Sequence, residues 1–553
     1  MKKHEKHRTG KPGGTQGRAS SHAAGAGSRG KKDAKGPKAS KGVAARKGAS
    51  SSKGRKPSRT AGAADRRTSH PAVSRPDRAS RTRAPHASAP EIQARARGGL
   101  FCPIDGRCGG CTLLRVAYPE QLRAKQERME ELFGELLDGR SRVRSIIGMQ
   151  NPLHYRTKVV SPYVAVYDRR TRQHRVLCGM YERGTHRVID SGECLIENRE
   201  AKRIILTVRD LMRRFGIAPY DEDADTGFLR HVQVRVGHTS GEVMVTLVTR
   251  DEAFPASRSF VRALKKAHPS ITTVVQNVNT RVTNAILGDK ERTLYGPGFI
   301  LDSLCGLTFR ISSKSFYQVN AVQTEALYTR AVEMAQLTGA ETVMDAYCGT
   351  GTIGLVAARG VNGGAGAARV VGVEERPDAV ADAANNARHN GVDAMFVADD
   401  AGAFMRRMAE EGASLDVLLM DPPRSGATPD FLKAACALAP ARVVYISCNP
   451  ETQARDAAYL VRHGYRIDEM QPVDMFPHTP HTENILAFER VADASGAVGA
   501  SAASSASIAA GETGAAGRSD MPDAADASDT AAAADVWDAS DASPCAPRAE
   551  AAS

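Results

Sequence analysis

From about Phe309 to Arg490 the chain alternates short, unbroken apolar runs with helical segments, and few folds admit that alternation. A strand read as continuous apolar residues is covered on both faces, as in a parallel sheet flanked by helices. The expected class is α/β, with a doubly wound, Rossmann-like sheet whose ligands gather outside the carboxyl ends of its strands. Between about Arg142 and Leu307 the pattern changes. Stretches such as Val232-Gln233-Val234-Arg235-Val236 and Glu242-Val243-Met244-Val245-Thr246-Leu247-Val248 alternate, which predicts antiparallel strands with one wet face. A helix is expected from about Pro119 to Leu137, and Phe101-Cys102-Pro103 opens a cysteine-rich knot ahead of it.

Composition removes both ends from any packed core. Residues 1–100 carry 26 Lys and Arg against 5 Asp and Glu, set among Gly, Ser, Ala and Pro. Residues 491–553 reverse the sign, with 10 acidic and 2 basic side chains among Ala and Ser. Both tails are expected to be disordered. Of the net charge of +14, the basic tail holds +21, the acidic tail −8, and the middle only +1. An arm of this kind reads as a nonspecific phosphate binder, because neutralising backbone phosphates releases counterions. No window offers the apolar length of a membrane span, and the N-terminus lacks the apolar stretch of a signal peptide. The expected organisation is a basic tail at 1–98, a β-rich α+β domain with the cysteine knot at 99–307, the Rossmann-like domain at 308–490, and an acidic tail at 491–553. A cytoplasmic monomer without membrane contact is expected.

Cys102, Cys108 and Cys111 stand close together, the last two closing as Cys108-Gly109-Gly110-Cys111, and Cys194 follows far downstream. In an intracellular chain such spacing favours a metal centre over disulfides, and the glycines let the backbone bend around it. Tetrahedral zinc or an iron–sulfur cluster would each be satisfied by four thiolates, and spacing alone does not separate them. Cys178 is an alternative fourth ligand.

Three strand ends carry the remaining chemistry. Thr342-Val343-Met344-Asp345-Ala346-Tyr347-Cys348-Gly349-Thr350-Gly351-Thr352-Ile353-Gly354 reads as a strand, a glycine-rich turn and a helix start. Val370-Val371-Gly372-Val373-Glu374 ends in a carboxylate suited to two ribose hydroxyls, which both NAD and S-adenosylmethionine present. Val417-Leu418-Leu419-Met420-Asp421-Pro422-Pro423-Arg424 ends in a carboxylate held by two prolines, a common ending in methyltransferases. Enzymes that methylate exocyclic amines usually set an aromatic residue after such prolines, and Arg424 stands there instead. Finally, Val443-Val444-Tyr445-Ile446-Ser447-Cys448-Asn449-Pro450 lifts one cysteine off a buried strand, placed like a nucleophile rather than a core thiol.

With Cys448 and Asp421 joined to the four-cysteine knot, the chain resembles the RNA uridine-5 methyltransferases, particularly the iron–sulfur branch that makes 5-methyluridine in 23S ribosomal RNA. The resemblance covers roughly residues 101–490 and rests on CPIDGRCGGC, SFYQVN, DAYCGTGTIGL, MDPPRSG, ISCNP and FPHTPHTEN in the family's order. It implies a class I methyltransferase domain. Gln318, Tyr347, Glu374 and Asp421 would hold S-adenosylmethionine, with Asp399 near the adenine. Cys102, Cys108, Cys111 and Cys194 would hold a four-iron, four-sulfur cluster. Cys448 would be the nucleophile that adds to uracil C6, and Glu483 the base that removes the C5 proton.

That chemistry suits the residue types. Uracil C5 is too weak a nucleophile to take a methyl group directly, whereas thiolate addition at C6 makes an enolate that can. A thiolate is available near neutral pH once a local field lowers the cysteine pKa. A stacked uridine must be flipped out or already single-stranded, at a cost of roughly a few kcal/mol. The larger members carry a small β-barrel RNA-binding domain ahead of the cluster, and residues 1–100 show no strand pattern for it. The T-loop uridine of transfer RNA is the alternative substrate. A noncatalytic RNA-binding or ribosome-assembly factor, or a NAD-binding oxidoreductase, would leave Cys448 and Glu483 unexplained.

Overall fold

The computed structural model describes residues 98–491 apart from Thr283. The two charged tails lie, but for their boundary residues, outside the described residues. After helix α1 (Tyr118–Phe133), a 3-10 turn at Gly134–Leu136 and the short strand β1 (Arg142–Val143), the chain builds a seven-stranded mixed sheet. Its strands are β2 (Lys158–Asp168), β3 (Gln173–Tyr181), β4 (Val188–Asp190), β5 (Leu229–Val236), β6 (Val243–Thr249), β7 (Ile271–Val278) and β8 (Lys290–Tyr295), in the order β4-β3-β2-β5-β6-β7-β8. Helices α2 (Arg199–Phe215) and α3 (Ser257–Ala267) cover one face, seating Ile204, Ile205, Val208 and Phe260 on Val232, Val234, Val245 and Leu247. The Asn198 side chain caps α2 by accepting the N–H of Glu200 and Ala201, and Gly216 closes the helix in the left-handed conformation.

The wet face expected of these strands is not wet. β6 is buried along its whole length and β5 and β7 nearly so. The hairpin β9 (Ile300–Leu304) and β10 (Leu307–Ile311) covers the second face, where Met244 and Val275 meet Ile300 and Ile311. Polar residues of that face bond to the segment after the hairpin: Gln233 donates to the Ser313 carbonyl at 2.9 Å and Arg235 to the Ser315 carbonyl at 2.6 Å. Alternation records which side chains are polar, and protein carbonyls satisfy them as water would. Nor is the sheet wholly antiparallel, since β6 and β7 run parallel across α3.

The second sheet follows α4 (Ala321–Ala335). It takes β11 (Thr342–Ala346), β12 (Arg369–Glu374), β13 (Met395–Ala398), β14 (Val417–Met420), β15 (Arg442–Ser447), β16 (Tyr465–Val473) and β17 (Glu483–Arg490), interleaved with α5 (Thr352–Arg359), α6 (Pro377–Asn390), α7 (Ala401–Glu410), α8 (Pro429–Leu438) and α9 (Pro450–Arg462). The order is β1-β16-β17-β15-β14-β11-β12-β13, parallel except that β17 runs against both neighbours. Alternate residues feed two cores. Met344, Leu418, Val443 and Phe488 face Met405, Phe431 and Leu460 on one side, and Val343, Leu419, Ile446 and Ile485 face Leu327 and Leu355 on the other. β1 pairs with β16, and Met129 and Phe133 of α1 join the first of these cores. Residues 118–143 are thus built into the C-terminal sheet, although the sequence boundary groups them with the β-rich region.

Candidate active site

The carboxyl ends of β11, β12 and β14 lie side by side and gather carboxylates. Asp345 in β11 is buried and accepts the Gly354 N–H at 2.8 Å. Burial, with Asp421 and Glu374 nearby, pushes its carboxyl up to about 7. The start of α5 packs closely above it: a Cβ on Gly354 would sit 2.8 Å from Asp345 Oδ2 and one on Gly351 2.9 Å from the Phe396 ring, whereas Gly349 in the turn is open. Tyr347 leaves β11 at φ +64°, a conformation rare for its residue type, and its ring packs on Phe431 with centroids 5.1 Å apart. Glu374 ends β12 and accepts the N–H of Gly349 and of Arg376, each at 3.1 Å. Asp399, just past β13, donates its own N–H to the Glu374 carbonyl, while its carboxylate accepts the Asp400 N–H and pairs with Arg407. Gln318 lies half-buried in the link between β10 and α4, and its side chain shares no hydrogen bond with the other four among the described residues.

The second centre forms where β15 and β17 meet. Because β17 is antiparallel to β15 with Ser447 opposite Asn484, Glu483 falls beside the position of Cys448, which follows the strand. Ser447 Oγ accepts the Asn449 N–H at 3.1 Å, and the Asn449 and Thr452 side chains both donate to the Arg424 carbonyl, tying this turn to the proline turn after β14. Asn484 donates to Gln453, which in turn donates to the Tyr445 and Asn484 carbonyls, so the start of β17 is fixed against α9. Cys448, Glu483, Asp421 and Arg424 share one electrostatic field. Burial first, then Glu483 and Asp421, together raise the Cys448 thiol to about 12, with Arg424 opposing them through its charge and a hydrogen bond. A field that lowers the thiol pKa is therefore not what surrounds it. The reason is burial first and then the two neighbouring acids, whose own carboxyls burial pushes up to about 8 for Glu483 and about 7 for Asp421. As that coupled pair holds a proton, its repulsion of a thiolate falls and the Arg424 charge remains. Cys448 opens onto a cavity of about 350 Å³ lined also by Arg128, Arg424, Glu451, His481 and Thr482.

Sequence reasoning missed what holds the segment before Glu483. Lys125 of α1 is buried, pairs with buried Asp474 at 2.6 Å, and donates to the carbonyls of His481 (2.8 Å) and Phe476 (3.4 Å). Gln121, one turn earlier, accepts the His478 N–H, and the N–H groups of Thr112 and Leu113 donate to the His478 carbonyl. Tyr155 and Asn320 bond the carbonyls of Pro477 and Met475. The available signal was a polar pair on the buried stripe Gln121, Lys125, Met129, Phe133 of α1, spaced by four.

The four cysteines form one neighbourhood. The Cys111 thiol is raised by burial and then by Cys194, Cys108 and Cys102, in that order. Burial raises Cys194 to about 12, against the N–H groups of Ile196 and Glu197, and Gly110 donates its N–H to Cys108 Sγ at 3.3 Å. Cys178 stands apart, packed in the core of the seven-stranded sheet. Among the described residues no group of three or more His, Cys, Asp or Glu side chains closes on a single metal ion.

A family model described as tRNA (Uracil-5-)-methyltransferase matches residues 117–491. An uncharacterized RNA methyltransferase of Halalkalibacterium halodurans is 42% identical over 392 residues, spanning 70% of this chain and 82% of that protein. One from Bacillus cereus is 39% identical over 393 residues, spanning 70% and 83%. The crystal structure of Pyrococcus abyssi tRNA (uracil-54, C5)-methyltransferase in complex with S-adenosyl-L-homocysteine is similar with a TM-score of 0.56 at 28% identity, covering 69% of this chain and 86% of that one. The chain belongs to the tRNA (uracil-5-)-methyltransferase family and is an S-adenosylmethionine-dependent RNA methyltransferase.

Proposed function

We propose that the protein methylates C5 of a uridine in 23S ribosomal RNA through a covalent bond between Cys448 and uracil C6. The observation that carries this reading is the shared field of Cys448, Glu483, Asp421 and Arg424, with Cys448 and Arg424 in the wall of one cavity. The Cys448 thiol releases its proton to solvent in the cavity, the thiolate Sγ bonds to C6, and the enolate carbon C5 so formed takes the methyl group. The C5 proton then passes to Glu483, and the Sγ–C6 bond breaks to regenerate thiolate and a methylated uracil. A carboxylate with its pKa near the working pH is matched to that proton transfer. The bound methyl donor supplies an electrophilic sulfonium methyl. Gln318, Tyr347, Glu374, Asp399 and Asp421 are the residues assigned to hold it, supported by the row of strand ends that carries four of them and by the closely packed start of α5.

For Cys102, Cys108, Cys111 and Cys194 the donor set fits a four-iron, four-sulfur cluster. Cys111 interacts with the other three thiols, and backbone N–H groups directed at Cys108 and Cys194 suit anionic sulfur. The cluster would act as a structural staple between the cysteine segment and the loop that carries Cys194. The basic tail would add phosphate affinity. Transfer RNA is the second reading of the substrate, favoured by the likeness to the Pyrococcus abyssi tRNA enzyme.

The test offers 5-fluorouridine-substituted ribosomal or transfer RNA with S-adenosylmethionine and resolves products on a denaturing gel. Fluorine cannot leave as a proton, so the adduct stays. A protein–RNA band with one RNA, absent in Cys448→Ala, is expected; no band with either RNA despite cofactor binding refutes the mechanism. Iron content and visible absorbance of the wild type against Cys194→Ser test the cluster.

A further inference from the structure

The seven-stranded sheet extends an arm that the site does not use. β2 pairs with β5 only from Lys158 to Pro162, and β3 pairs with β4 only from Gly179 to Tyr181, yet β2 and β3 remain paired with each other out to Asp168 and Gln173. Residues 164–177 therefore form a two-stranded ribbon free of other strands. Its five outer pairs, at about 3.4 Å per residue, carry it roughly 17 Å past the sheet.

The end of the ribbon reads Tyr167-Asp168-Arg169-Arg170-Thr171-Arg172-Gln173-His174-Arg175, and every residue from Arg169 to Arg175 is exposed. Its one carboxylate is committed to the turn: Asp168 Oδ1 accepts the N–H of Arg170 at 2.9 Å and of Thr171 at 3.4 Å. Arg169, Arg170, Arg172 and Arg175 make no ion pair among the described residues, Arg175 acting on Asp168 only through its charge, whereas exposed Arg107 and Arg187 and half-buried Arg250 each pair with a carboxylate. Tyr167 and His174 face each other across the strands with ring centroids 5.2 Å apart, beside those guanidinium groups. A small exposed ribbon gains nothing in stability from four cations without an ion pair. The combination of planar guanidinium forks with an exposed aromatic pair matches a phosphate backbone.

We propose that the β2–β3 arm is a second RNA contact, which grips the phosphate backbone of the helix flanking the target uridine. This rests on the RNA-methylation reading above. The opposite end of β3 adjoins the cysteine segment, since Cys108 bridges to Glu182. The arm's tip thus lies nine residues of strand away, on the order of 30 Å. Only an RNA that extends this far beyond the cysteine segment gains from it.

The test uses full-length protein, the Arg169→Ala/Arg170→Ala/Arg172→Ala/Arg175→Ala variant and the corresponding four-lysine variant. Each is titrated over a range of salt with a 23S ribosomal RNA transcript and with a uridine-containing stem–loop too short to span 30 Å. Loss of four phosphate contacts is expected to flatten the slope of log affinity against log salt by about 3. Binding to the transcript should weaken at least tenfold near 0.1 M salt, with stem–loop binding and melting temperature unchanged and the lysine variant near wild type. An unchanged slope overturns the proposal. So does an equal loss on both RNAs, or a loss of binding to anionic vesicles in place of RNA. A wild type that binds neither RNA instead overturns the RNA reading on which the proposal stands.

Discussion

Replacing Lys125 with methionine tests how the segment 476–482 is held. The side chains of Lys125 and Asp474 are 3% and 0% exposed, so the substitution removes a buried ion pair and two further hydrogen bonds with little change of volume. Asp474 keeps only the Tyr118 hydroxyl, at 2.8 Å, among its side-chain donors. An uncompensated buried charge costs about 3–5 kcal/mol. With an unfolding entropy of about 2.1 cal/mol/K per residue over the 98–491 region, that amounts to a fall in melting temperature of about 4–6 °C. Denaturant unfolding of Lys125→Met, Asp474→Asn and the double variant measures it, and the double variant should be more stable than the two single losses sum to. Amide exchange in 476–482 should quicken in Lys125→Met, since the carbonyls at both ends of the loop lose their donor. The single variants also separate by pH. Burial, outweighing Asp474, already lowers the Lys125 pKa. Without Asp474 it falls further, so the unfolded chain binds the extra proton and Asp474→Asn should gain stability as pH rises toward about 10. A loss below about 1 kcal/mol, or strict additivity, would refute the clamp.

Glu483 behaves oppositely: its folded pKa is raised to about 8, so the folded chain holds the extra proton between about 4.3 and 8, and the contribution to stability falls as pH rises through that window. Melts of Glu483→Gln at pH 5 and pH 8 should show that decline reduced, and an undiminished decline would place the titration elsewhere. Gly354→Ala puts a methyl 2.8 Å from Asp345 Oδ2 and 3.1 Å from Val370 Cγ1, and should cost about 1–3 kcal/mol of stability and weaken S-adenosylmethionine binding at least tenfold by calorimetry. An unchanged affinity would remove the turn from the binding site. Asp456→Ala strips acceptors from the Ala427 N–H and the Tyr445 hydroxyl, both at 2.8 Å, and should cost about 1–3 kcal/mol in urea unfolding. Tolerance of that change would mean water replaces the carboxylate.

What was legible in the chain was local. Tyr347, Glu374 and Asp421 each stand at the end of an apolar strand and beside a turn, so a dozen residues announce both the element and the group it carries. Cys448 could be placed at a strand end in the same way, but its proximity to Glu483 depends on β17 entering antiparallel beside β15, which no local pattern encodes. The Lys125–Asp474 pair joins residues 349 apart, and a lysine on a helix reads as solvated until its partner is known. Likewise, polar positions on β5 read as wet because the hairpin that covers them lies far along the chain. The thiol's raised pKa has the same origin, for it depends on burial in the assembled site and then on acids brought in by two other strands.

The central place of β17 has a consequence for the order of assembly. It is the final strand of the described chain, yet it inserts between β15 and β16, which have no ladder bonds to each other. Until Glu483–Arg490 arrives, β15 presents an open edge, and β16 with its N-terminal companion β1 has no route into the sheet. Exposed edges of that kind invite pairing with other chains, so a species truncated near residue 482 is the aggregation-prone intermediate to expect. The same late event delivers Glu483 to Cys448. Completion of the fold and completion of the candidate site are therefore one step, and a half-made chain carries the Cys448 thiol without Glu483 beside it.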